Sequence, residues 1–134
     1  MNSESLAHVA SARAHRDLSD LARQGVGGIS SGASTRERIE EARRLRVLAN
    51  ELVDLVVLGE VLCGASWEEI TQALHRRDAG TVQAEYEDAV REWEATPAEA
   101  FDGLDGDARD LDAWYRQHRE DTDPPAEDPV FDLL

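Results

Sequence analysis

The chain has no lysine; all fourteen of its cations are arginine. It has one cysteine, Cys63, which excludes a disulfide-stapled scaffold. The N-terminus lacks a basic segment followed by an apolar one, so no signal peptide is expected. The most apolar stretch, Leu52 to Cys63, is too short to span a bilayer and contains Asp54 and Glu60. No stretch has a strong strand pattern, and none repeats. Gly-rich phosphate loops, Ser-His-Asp arrangements and carboxylate pairs in apolar settings are also missing, so an enzyme is not expected. The expectation is a protein of the cytoplasm with no membrane association. An all-arginine, alanine-rich composition fits a high-GC bacterial genome.

What is present is acid and helix. The 134 residues carry 29 Asp or Glu, for a formal net charge of -15, and 41% of them are hydrophobic. That is enough apolar material for a core and argues against wholesale disorder. The charge is uneven. Residues 1–67 hold eight Arg against nine acids, whereas residues 68–134 hold six against twenty. The second half is repelled by phosphate backbones and anionic lipid, and it suits a basic partner.

Hydrophobic spacing predicts an all-α chain. Leu6, Val9, Leu18 and Leu21 mark a first helix over 5–24, followed by a glycine-rich connection to residue 33. Ser34-Thr-Arg-Glu37 reads as a capping box opening a long helix to about Leu62. Ile39, Ala42, Leu45, Ala49, Leu52, Val53 and Val56 form a broad stripe on it. Leu52 to Leu62, apolar nearly all round, offers more surface than the short helices around it would cover, so a homodimer through the long helix, the first helix or both is expected. Gly64 suits a left-handed helix stop.

Ser66-Trp-Glu-Glu69 predicts a second cap and a short helix to about His75, and a fourth helix follows over 81–95. Thr96-Pro-Ala-Glu99 reads as a third capping box that opens a short turn containing Phe101 and Leu104, with a further helix over 107–119. The expected divisions are 1–33 (first helix and connection), 34–95 (core), 96–120 (short helical extension) and 121–134. The last segment, acidic and containing Asp-Pro-Pro, is expected to be a disordered tail. Deleting it should then change stability by no more than about 0.5 kcal/mol.

The string Gly64-Ala-Ser-Trp-Glu-Glu-Ile-Thr-Gln-Ala-Leu74 resembles the first helix of the helix-turn-helix in small actinobacterial proteins whose motif is related to sigma-factor region 4. The resemblance spans roughly residues 36–93. It implies a small DNA-associated regulatory protein that presents a recognition helix to duplex DNA. The residues of this chain suited to that role are Arg76, Arg77, Thr81 and Gln83, with Arg43 on the long helix. His75 stands where the pattern has glycine, so it should adopt positive φ. The recognition helix itself is acidic, with Glu85, Glu87, Asp88, Glu92 and Glu94 against Arg91. That leaves a second reading open: an acidic interaction module without DNA binding that engages a basic protein, as a DNA mimic or by sequestering it. Its surface would comprise Glu85, Glu87, Asp88, Trp114 and Tyr115.

The remaining residues have plainer readings. Cys63 is expected to be a buried small hydrophobe. His8, His15, His75 and His118 lack metal-ligand spacing, and Asp102 to Asp112 fail the calcium-loop pattern, so no metal or other cofactor is expected. Trp67, Trp93 and Trp114 are expected to be core residues.

Overall fold

A computed structural model describes residues 2–134. It is all-helical, with no strand among the described residues. Five α-helices follow in order: α1 (Ser3–Gly27), α2 (Thr35–Leu62), α3 (Trp67–Ala73), α4 (Ala79–Glu94) and α5 (Leu104–His118). Single 3-10 turns occur at Ala98–Phe101 and Phe131–Leu133.

Helices α1 and α2 form an antiparallel hairpin. Gly59 near the end of α2 meets Ala7 near the start of α1, and Glu41 approaches Gly25 at the other end. The Ser34 capping box forms in both directions: Ser34 accepts from the Glu37 amide, and the Glu37 carboxylate accepts from the Ser34 amide. Ala65 and Gly64 donate backward to the carbonyls of Glu60 and Val61, with Gly64 at φ 98°. These paired bonds close the end of α2 and turn the chain into α3.

Two apolar clusters hold the other helices to the hairpin. Val57 of α2, Ile70 of α3 and Val82 of α4 are buried together, flanked by Val61, Trp67, Leu74 and Tyr86. At the other cluster, Val9 of α1 packs with Leu104, Ala108 and Leu111, which recur at spacings of four and three along α5.

The C-terminal segment departs from expectation. Residues 121–134 are not a disordered tail; they fold back along α5. Asp112, fully buried, accepts from the amides of Val130 and Phe131 at 2.8 and 3.1 Å. Arg116 reaches the Glu127 carbonyl and the Asp128 carboxylate, while Arg119 reaches the Ala126 carbonyl and Glu127. The Tyr115 hydroxyl donates to the Pro124 carbonyl. Val130, Phe131 and Leu134 then pack on the Val9 cluster, with the Arg109 guanidinium 4.3 Å from the Phe131 ring centroid. Acidity did not keep this segment in solvent because α5 supplies cations and one inward carboxylate to its unpaired backbone groups.

Smaller corrections follow the same logic. Thr96 does not cap a new helix; its hydroxyl donates back to the Trp93 carbonyl at the end of α4. The short turn expected there is one 3-10 turn, Ala98–Phe101, and α5 begins at Leu104 rather than Asp107, entered through Gly103 at φ 77°. α4 begins at Ala79 rather than Thr81, because Asp78 caps it by accepting from the Gly80 amide.

Candidate functional site

The unit that carries the sequence resemblance is α3, the turn from Leu74 to Asp78, and α4. Ser66 caps α3 by accepting from the Glu69 amide. Buried Thr71 donates its hydroxyl to the Trp67 carbonyl, so the polar group is satisfied within its own helix. The turn is closed by two backward bonds, from His75 to Gln72 and from Arg76 to Thr71, with His75 at φ 56°. His75 thus adopts the positive φ expected of it. Tyr86 ties α4 to α2 by donating to Asp54 at 2.8 Å. Burial, then this carboxylate partner, pushes the Tyr86 phenol up to about 12.

Two of the five candidate DNA-contacting groups, Arg76 and Thr81, are engaged within the chain. Arg76 forks onto Glu85, with contacts of 2.8 and 3.3 Å. The pairing lifts the Arg76 guanidinium further and holds the Glu85 carboxyl below its ordinary range. The Thr81 hydroxyl donates to Asp78 at 2.6 Å, and this bond, ahead of the Gly80 amide, lowers the Asp78 carboxyl. Arg77 and Gln83 are exposed and have no hydrogen-bond partner among the described residues. Arg43 stands apart. It lies eleven residues before Asp54, or about 16 Å along α2 from the Tyr86 contact.

The acidic candidates divide as well. Glu85 and Asp88 are exposed and Glu87 is half-buried; Asp88 pairs with Arg91 one turn on, leaving Glu92 and Glu94 as further exposed acids. Trp114 and Tyr115 do not join them. Tyr115 is held by the folded-back C-terminus, and Trp114 stacks on His118 with ring centroids 5.0 Å apart. Both line an apolar cavity of about 560 Å³ between α1, α5 and the C-terminal segment, together with Ala12, Pro129 and Val130. Their contacts with α5's own partner strand of chain are invisible to helical periodicity.

Cys63 is exposed rather than buried, because it caps the end of α2 where the chain turns away. Its sulfur lies 3.8 Å from His8 Nε2. Partial desolvation, then Glu4 and Glu60, pushes the thiol up, which disfavours the reactive thiolate. Among the described residues no group of three or more His, Cys, Asp or Glu is placed to hold a metal. No helix among them is long and apolar enough to cross a membrane. Comparison with known proteins gives no match to a family model, a curated protein or a solved structure.

Proposed function

We propose that this chain is a protein-interaction module that uses the α3–turn–α4 unit as a platform for a basic partner, not as a reader of DNA. One observation carries the reading: two of the polar groups in the turn and first turn of α4 that could meet phosphate, Arg76 and Thr81, are turned onto the chain's own carboxylates. Arg76 is matched by Glu85 and Thr81 by Asp78, while Glu85, Asp88, Glu92 and Glu94 stand on the solvent side. Phosphate binding draws its affinity from uncompensated cations at the interface. A basic segment instead gains attraction from the whole acidic half of the molecule.

The resemblance to sigma-related helix-turn-helix proteins supports the scaffold, and it supplies a second reading as a small DNA-associated regulator. Unpartnered Arg77 and Gln83 favour that reading, since Gln can pair with adenine in the major groove.

One titration separates the two. At about 50 mM salt, where non-specific DNA binding is far stronger than at physiological salt, generic duplex DNA should leave the protein's polarisation signal unchanged, while an arginine-rich peptide should bind. Joint Glu85→Lys, Glu87→Lys and Asp88→Lys substitution should abolish peptide binding. Tight wild-type binding to a duplex at physiological salt, lost in Arg77→Ala and Gln83→Ala, would overturn the proposal in favour of the regulator.

A further inference from the structure

The α1–α2 hairpin carries apolar surface that the rest of the chain leaves uncovered. α2 has two seams, each with the alternating three- and four-residue spacing of a helix-packing face. One meets α1. Glu41 and Gly59 touch α1 at its two ends, and half-buried Leu45, Leu48, Leu52 and Leu55 fall on the same spacing between them. The other runs through Ile39, Ala42, Arg46, Ala49, Val53 and Val56, and all six are exposed. Apart from Leu133, every large hydrophobic side chain exposed among the described residues lies on the hairpin or its connection.

α1 contributes a matching seam. His15, Ser19, Ala22 and Val26, with Ile29 just past the helix end, repeat at four and three and are all exposed. The two seams share one side of the hairpin. His15 lines one groove with Val53 and Val56, and Ala22, Val26 and Ile29 line a second with Ala42.

We infer that this side of the hairpin is the interface with a second copy of the same chain, packed face to face as an antiparallel four-helix bundle. Charge identifies the occupant. Residues 12–56 hold eight Arg against seven acids, whereas the rest of the chain holds six against 22. Two copies meeting through their acidic regions would repel, and the hairpin is where they can approach without that cost. A basic partner has no reason to select this near-neutral face over the acidic remainder.

The seam is also self-complementary. A two-fold axis between residues 47 and 48 sets Ile39 against Val56 of the second copy, Ala42 against Val53, and Arg46 against Ala49. Each pairing joins a longer side chain to one of equal or smaller size. Arg46 can lay its stem across Ala49 and keep its guanidinium in water. Alanine at two of the six positions lets the helices approach to the usual 8–10 Å or so.

Sedimentation velocity on the full chain should show a dimer within about 1–100 μM. Val53→Glu should raise the dimer dissociation constant roughly 100-fold, because it puts a charge in a closed apolar seam. Val53 is 46% exposed in the single chain, so helical circular dichroism should not change. Ala49→Glu repeats the test at a second exposed site. In a Cys63→Ser background, Ala42→Cys with Val53→Cys should give an oxidised, covalent dimer, and Ala42→Cys alone should not. A monomer throughout, a dimer that survives both glutamates, or cross-linking through Ala42→Cys alone would overturn the inference.

Discussion

α4 and α5 are nearly the same length, 16 and 15 residues, and both are acidic and amphipathic, yet they use their carboxylates in opposite ways. α4 keeps all its acids but half-buried Glu87 exposed, and the cations that meet them are Arg91 of its own last turn and Arg76 of the preceding turn. α5 turns Asp112 inward to satisfy two amides of a distant segment and sets Arg116 and Arg119 to grip the same segment. The difference lies in what unpaired backbone comes within reach. An acid on a helix is a solvated charge until orphan N–H groups approach it; it then becomes a structural acceptor. α4 is left with an outward acidic face, the one proposed above to meet a basic partner, whereas α5 turns Asp112 to the chain's own C-terminus.

The largest effect should come from breaking the α5 arrangement. Asp112→Ala leaves the Val130 and Phe131 amides without their acceptor and should cost about 1–3 kcal/mol. Deleting residues 121–134 also uncovers the apolar side of α5, and should lower stability by roughly 2–4 kcal/mol in chemical denaturation. A loss below about 0.5 kcal/mol, the size usual for changes away from packed features, would show that the segment is not docked in solution. The same deletion should leave binding of a basic peptide to α4 intact, which tests whether the two acidic helices are independent.

The second effect belongs to α4 and appears at alkaline pH. The Tyr86 phenol is raised in the folded chain to about 12, against an ordinary value near 10. The folded state therefore holds its proton more tightly than the unfolded state does. The resulting stability is fully present below about pH 10 and is lost as pH climbs toward 12. Melting temperature should fall over that window in the wild type, and Tyr86→Phe should flatten the fall. The tyrosinate absorbance step near pH 12 should vanish in the same variant. An identical alkaline profile in both proteins would mean that folding does not raise the Tyr86 phenol.

Local signals in the sequence were informative where the chemistry is local. Ser34 and Glu37 are three residues apart and satisfy each other, so their motif alone predicts the start of α2. Ser66, Gly64 and the positive φ of His75 are legible for the same reason. Thr96 misleads because two helix ends compete for one hydroxyl, and the end of α4 takes it. The C-terminal segment is illegible because its partners lie 7 to 19 residues away on α5 and its C-cap, and acidic, proline-bearing composition describes a chain without those partners. At the candidate site, the sequence locates Arg76 and Thr81 but not their commitments. The Arg76–Glu85 pair spans a turn that Asp78 shortens by starting α4 at Ala79, two residues before the expected 81.

The smallest effect is a gain, at the turn that aims α4. His75 occupies the position after a helix end where the backbone runs left-handed, at φ 56°. A side chain there brings Cβ close to the following carbonyl, at a cost of about 1–2 kcal/mol for an ordinary residue, with histidine among the better tolerated. The backward bonds from His75 and Arg76 hold the chain in this conformation whichever residue occupies it. Glycine makes the same bonds without the steric term, although it loses more backbone entropy on folding. His75→Gly should therefore stabilise the protein by about 0.5–1 kcal/mol net. His75→Val should destabilise it, because a branched Cβ worsens the clash. Neither change touches Glu85 or Asp88, so peptide affinity should stay within about twofold if the acidic face of α4 acts alone. A large change in affinity with a small change in stability would place His75 in the interface and widen the site from α4 to the turn.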